Sequence, residues 1–215
     1  MQKKQETRRR KSLDKCPPWR SPFEVKRIVE KREERKKLLI VCEGEKTEPL
    51  YFESFGIPIS FVKVHGAGMN TISVVEEAIR LRAENPEKYE IVWCVFDRDS
   101  FAAQRFNEAI DLAKRNGINV AYTNEAFELW YLLHFDYHNT GISRSQYEEK
   151  LTENLGRKYE KNDGTMYSEL IDKQDIAIKY AKNLLKSHGK NHNPEKDNPS
   201  TTVHLLVELL RSYQD

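Results

Sequence analysis

The sequence predicts an α/β fold: a four-stranded parallel sheet with helices on both faces, preceded by a basic N-terminal arm and followed by a C-terminal helical extension. Three observations carry this. First, residues 38–42 and 91–96 are continuous runs of apolar, β-prone residues, as strands buried on both faces require. Second, each run stops abruptly at acids, Glu43-Gly44-Glu45 in one case and Asp97-Arg98-Asp99 in the other. Third, strand-like runs alternate with segments of helical spacing, the order that builds a parallel sheet through right-handed crossovers.

The elements follow in order. Residues 1–23 lack periodicity and carry Arg8-Arg9-Arg10-Lys11 and Pro17-Pro18, a composition expected to be disordered or loosely attached. Residues 24–37 form a charged helix with a thin stripe of Val25, Ile28 and Val29, leading into the first strand. After Glu43, Gly44 permits a tight turn, Thr47 caps, and Pro49 suits a first helical turn, so a helix runs through residues 50–55. Residues 57–64 alternate as a strand does. A glycine-bearing loop at 65–70 leads to a helix over 71–84, marked by Ile72, Val75 and Ile79 and closed by Asn85-Pro86. The strand at 91–96 is followed by a helix over 102–115, stopped by Asn116-Gly117, and a short strand over 118–122.

From Ala126 the texture changes. Residues 126–135 are densely apolar and read as a buried helix; polar helices follow over 145–155, 167–187 and 200–213, with a polar loop over 189–199. The division is therefore a basic arm, partly disordered, over 1–37, an α/β core over 38–125, and a helical extension packed on it over 126–215.

Composition bounds the function classes. A chain of 215 residues is long enough for one domain with a real core. It is 38% hydrophobic and 33% charged, and no apolar run is long enough to span a membrane. The first residues are too basic and too poor in apolar residues for a secretory signal. Cys16, Cys42 and Cys94 are odd in number and widely spaced, which suits reduced thiols and a cytoplasmic setting. The net charge of +2 hides an asymmetry: residues 1–37 hold 15 Lys/Arg against 6 Asp/Glu, and the remainder 21 against 28. A basic arm on an acidic body suits contact with a phosphate backbone, and equally suits a solvated tail.

The acids carry the chemistry. Ligands in open α/β sheets bind beyond the carboxyl ends of the strands. If the two runs are neighbours, Glu43, Asp97 and Asp99 converge there, and clustered carboxylate oxygens suit a hard cation such as Mg2+, or Mn2+ in its place. Asp97 and Asp99 point the same way if the strand persists. Glu43, raised in pKa by neighbouring acids, can act as proton shuttle. The plainer reading is that all three acids favour the N-termini of the helices that follow. Glu45 and Glu48 are secondary candidates, and Lys46 and Arg98 either offset phosphate charge or pair with these acids. Glu128 lies in an apolar helix and needs a partner if buried. Trp130, Tyr131 and Phe135 read as core rather than as base-stacking platforms, and His134 as a satisfied core histidine. His188 and His192 have no cysteine near them, which argues against zinc. Asn198-Pro199-Ser200-Thr201 reads as a helix cap, with a phosphate-binding helix start as the alternative.

Glu43-Gly44 after the first strand and Asp97-Arg98-Asp99 after the third together resemble the Toprim domain, over roughly residues 38–125. A closer resemblance covers most of the chain. The stretches 42–52, 96–99, Phe127-Glu128-Leu129-Trp130-Tyr131-Leu132-Leu133-His134-Phe135 and 198–203 look like the RloB family. One departure is Glu125, which follows Asn124 where a proline is expected.

The resemblance implies a Toprim-like, Rossmann-like core and a Mg2+-dependent nuclease effector in phage defence of the abortive-infection type. It implies Glu43 as the acid–base residue, Asp97 and Asp99 as cation ligands, and an AAA-type ATPase similar to RloA as partner. On this reading the substrate would be nucleic acid, RNA such as tRNA or DNA; the charge pattern, not the resemblance, offers Arg8, Arg9, Arg10, Lys11 and Arg98 as its contacts, and self-association is left open. Two other readings stand beside it: a non-catalytic interaction module, and a small-phosphate enzyme. No Walker A motif is present, so ATP hydrolysis would belong to a partner. Gly66-Ala67-Gly68 is too short for a dinucleotide fingerprint, and an Asp-x-Asp phosphatase motif belongs on a first strand, not a third.

Overall fold

The computed structural model describes residues 35–86, 88–98 and 105–214. The expectations for the basic arm, the helix over 24–37, Cys16, Asp99 and the start of the helix at 102 lie outside the described residues. Arg35–Asp215 form one compact unit.

Four strands form the expected parallel core: β1 (Leu38–Cys42), β2 (Val62–Gly66), β3 (Ile91–Asp97) and β4 (Asn119–Asn124). The sequence did not suggest a fifth, β5 (Ser200–Thr201), which pairs antiparallel with β4, so the order is β2-β1-β3-β4-β5. The segment read as a helix cap is therefore the edge of the sheet, and α8 (Val203–Arg211) begins after it. β2 starts at Val62 rather than Ile57, because the alternation there is interrupted by a turn closed from Phe61 N–H to Pro58 O.

Successive residues of β1 serve opposite faces, as the pleat requires. Leu38, Ile40 and Cys42 join the larger core beneath α1 (Thr47–Glu53), α4 (Glu128–Leu132), α5 (Arg144–Leu155), α6 (Met166–Leu170), α7 (Gln174–Ser187) and α8. Leu39 and Val41 face α2 (Thr71–Glu84) and α3 (Phe106–Arg115). Helices thus cover both faces, as expected. The expected helix over 167–187 is broken into α6, a 3-10 turn (Ile171–Lys173) and α7, and the buried helix at 126–135 holds regular α-geometry only over α4. Local sequence explains the helix starts: Asn70 accepts the Ser73 amide at 3.2 Å, and Ser143 with Gln146 forms a reciprocal capping box on α5.

Cys42 and Cys94 are buried free thiols in β1 and β3, and burial pushes Cys94 up to about 12. Trp130, Tyr131 and His134 are all core, as expected, but His134 is satisfied on one nitrogen only: Nδ1 lies 2.9 Å from the Trp130 carbonyl, and Nε2 is buried without a hydrogen-bond partner. Among the described residues no helix is long and apolar enough to cross a membrane.

Candidate active site

The sheet order makes β1 and β3 neighbours, with Cys42 opposite Val95. Their acids therefore meet. The Glu43 carboxylate accepts the Asp97 backbone N–H at 3.0 Å through Oε2 and the Thr71 hydroxyl at 3.3 Å through Oε1. Asp97 Oδ2 accepts the Phe127 N–H at 2.9 Å. These bonds fix Glu43 between the end of β1, the start of α2 and the end of β3, and tie Asp97 to the entrance of α4.

A crevice of about 690 Å³ opens above them. It is lined by the β1–α1 loop, by Asn70 and Thr71, by Asp97, Phe127 and Glu128, and from the C-terminal half by Arg144, Lys161 and Asn162. Of the residues singled out from sequence, Glu43, Glu45, Lys46, Glu48, Asp97 and Glu128 are brought together here. Arg98 does not line it: its backbone N–H donates to Thr123 O at 2.8 Å and its Nε is buried without a hydrogen-bond partner. Arg8, Arg9, Arg10, Lys11 and Asp99 lie outside the described residues.

Glu48 enters the crevice because Gly44 has no side chain. A Cβ on Gly44 would lie 2.1 Å from Glu48 Oε2 and 2.9 Å from its Cδ. Gly66, at the end of β2, lets the same loop approach: a Cβ there would lie 2.8 Å from the Glu45 carbonyl. The loop is latched from outside by the Thr47 hydroxyl, 3.0 Å from Asn162 Oδ1.

The electrostatics of the crevice are dominated by buried acid. Burial, then the charges of Glu48, Glu128 and Glu43, hold the Asp97 carboxyl well above the usual carboxylate range. Burial likewise raises Glu48, with Glu128 adding to it and Arg144 and Lys161 opposing. Asp97 Oδ1 and Glu48 Oε2 are buried with no hydrogen-bond partner. Such groups are destabilising unless a positive charge reaches them. Arg144 comes within 3.9 Å of Asp97 Oδ2. Glu128, buried in α4, accepts the Tyr159 hydroxyl at 3.2 Å. The partner that the sequence required for Glu128 is thus a tyrosine contributed from 31 residues away.

Sequence reasoning missed Thr71, Arg144, Tyr159, Lys161 and Asn162. Ser143-Arg144-Ser145-Gln146 carries a cap signature, but nothing in it marks Arg144 as facing acids. Only the packing of α5 against α4 does so.

Fold and crevice together define an α/β protein with an acid-lined pocket at the carboxyl ends of adjacent parallel strands. The family model described as RloB-like protein matches residues 38–210, and the chain belongs to that family. No curated protein and no solved structure matches it.

Proposed function

We propose that this protein is a Toprim-type nuclease that uses Mg2+ or Mn2+ to cleave nucleic-acid phosphodiesters. The observation that carries this is Asp97: a largely covered carboxylate, one oxygen buried and unpartnered, beside Glu43, Glu48 and Glu128. The donors fit a hard cation in kind, since Asp97 and Glu48 each offer a buried carboxylate oxygen with no hydrogen-bond partner; among the described residues no three of the crevice's acids come within 4.8 Å of one another, so a cation there would draw them in. Asp97 and Glu48 would hold the cation, with Asp99 as the further ligand that the family resemblance implies. When bound, it supplies charge stabilisation at the phosphate oxygens and a lowered pKa for water.

The protein's own groups do the rest. Glu43, oriented by Thr71 and the Asp97 amide, holds or releases a proton at its carboxylate. Lys46, Arg144 and Lys161 line the same crevice and draw a polyanion towards it. Arg8, Arg9, Arg10 and Lys11 add a salt-dependent contact along the backbone. Membership of the RloB-like family supports a role in abortive-infection defence under control of an AAA-type ATPase partner.

The test is incubation of the protein with labelled tRNA, plasmid and single-stranded DNA under Mg2+, Mn2+ or chelator. Cleavage that needs the cation and falls at least about 100-fold in Glu43→Gln, and vanishes in Asp97→Ala, is the expected result. Cleavage unchanged in both variants sinks the proposal.

A second reading, a non-catalytic module that binds the ATPase or nucleic acid, is favoured by one observation. Arg144 and Lys161 already offset the acids of the crevice electrostatically. Phage protection retained in a Glu43→Gln protein that still binds its partner would select it.

A further inference from the structure

A second cluster lies outside the crevice. His188, at the end of α7, and His192 and Asp197, in the loop before β5, each offer one donor atom, and these atoms lie within 4.8 Å of one another. Among the described residues this set alone brings three such groups to that spacing.

The outer hydrogen bonds, on the far nitrogens and on Asp197, are those of a metal site; the one between His192 Nδ1 and Asp197 Oδ2 is the contact that a cation would displace. His188 Nε2 is 2.9 Å from the Pro199 carbonyl, which can only accept, so the proton sits on Nε2. His188 Nδ1 then presents its lone pair towards Asp197 Oδ2, 3.9 Å away and beyond hydrogen-bond reach. His192 Nδ1 faces the same oxygen at 2.6 Å, and its Nε2 meets the Tyr122 hydroxyl, which can donate or accept. Both imidazoles therefore turn Nδ1 to one carboxylate while their far nitrogens are held by a carbonyl and a phenol. Metal-bound histidines are oriented in this way. A tetrahedral ion with bonds of about 2.0–2.1 Å holds its ligand atoms about 3.3 Å apart, between the two distances seen. The Asn193 N–H, 2.7 Å from Asp197 Oδ2, would stay in place as the carboxylate's orienting partner.

We propose that His188, His192 and Asp197 bind a borderline divalent cation of the Zn2+ class, which ties the segment before β5 to the sheet. Two imidazoles and one carboxylate suit Zn2+ better than Mg2+, whose preference is for oxygen. The three side chains remain 20–25% exposed, which leaves a fourth position for water. The sheet is the anchor: His192 stacks on Tyr122 of β4, and Asn124 of β4 donates to the Pro194 and Glu195 carbonyls at 3.0 and 3.1 Å. The sequence argument against zinc rested on the lack of a nearby cysteine. Asp197 takes that place.

The test uses full-length protein without a histidine tag. Metal analysis after purification with Zn2+ should return about one equivalent, and Co2+ should give visible d–d bands of a low-symmetry site. Both should be lost in His188→Gln, whose amide can still donate to Pro199, and in Asp197→Asn, which can still accept from Asn193. Both should persist in Asp97→Asn, which separates this site from the crevice. With Mg2+ kept saturating, a Zn2+-selective chelator should lower the Tm of the wild type and leave that of the folded variants unchanged. Less than about a tenth of an equivalent on wild type, or a Co2+ spectrum that survives His188→Gln and Asp197→Asn, overturns the proposal.

Discussion

The Glu43 carboxylate receives the backbone N–H of Asp97 at 3.0 Å, across 54 residues of chain. The bond exists because β1 and β3 are parallel neighbours: β1 ends at Cys42 opposite Val95, so Glu43 reaches the amide of Asp97, where β3 ends two residues further on. It places one acid directly over the amide of another, and the remaining acids of the crevice gather around the pair. Crowding carboxylates in this way weakens the fold, and that weakness is measurable.

Asp97→Asn should stabilise the metal-free protein. The folded-state pKa of Asp97 is raised by burial and by Glu48, Glu128 and Glu43. Its contribution to stability therefore falls as pH rises above the unfolded value near 3.9. A neutral amide removes that loss and can still accept the Phe127 N–H. At pH 7.5 with chelator, Tm should rise by about 2–4 °C for each kcal/mol relieved. Added Mn2+ should raise the Tm of wild type more than that of the variant. A variant that melts lower than wild type in chelator would refute this.

Gly44→Ala should weaken cation binding without touching any acid. The new Cβ would sit 2.1 Å from Glu48 Oε2 and turn that side chain aside. Titration calorimetry with Mn2+ should show affinity lower by about tenfold or more, the usual effect of disturbing a ligand's support. Unchanged affinity would mean that Glu48 holds nothing.

His134→Gln should flatten the acid limb of stability. Burial pushes His134 down to about 4, from an ordinary value near 6.5. The folded state thus binds fewer protons than the unfolded one, so its contribution is complete above pH 6.5 and lost as pH falls towards 4. Between pH 7.5 and 4.5 the variant should lose less stability than wild type, by denaturant melts at each pH. His204, also pushed down to about 4, keeps its share in both proteins.

Thr201→Val should lower Tm although it adds apolar surface. The Thr201 hydroxyl donates to the Tyr122 carbonyl at 3.0 Å, accepts the Val203 N–H at 3.2 Å and lies 3.1 Å from the Thr123 hydroxyl. All are buried. Stranding them costs about 1–3 kcal/mol, read as a fall in Tm by thermal melting. An unchanged Tm would show that β5 is held by its backbone alone.

Much of this was legible before any coordinates. The residues of β1, α2 and β3 announce themselves, because a continuous apolar run or a 3.6-residue spacing is written locally. α2 matches its expected bounds of 71–84. Glu43 and Asp97 were found because they end such runs. β5 was not, since two residues carry no periodicity. The 167–187 helix was read as unbroken because a 3-10 turn at 171–173 leaves the polar pattern intact. Arg144, Lys161 and Tyr159 were invisible for a different cause: polar residues on polar helices and loops look alike until a neighbour is known.

By itself, then, the chain's order of residues determined the alternation of strands and helices and put acids at two strand ends, since hydrophobic periodicity and turn chemistry act over a few residues. Only the tertiary structure decided that Glu48 and Glu128 join those acids, that Arg144 opposes them, and that two histidines and Asp197 share one point. Those outcomes depend on how segments far apart in sequence are brought together by burial of the sheet's two faces, and burial does not record in advance which polar groups it will leave facing one another.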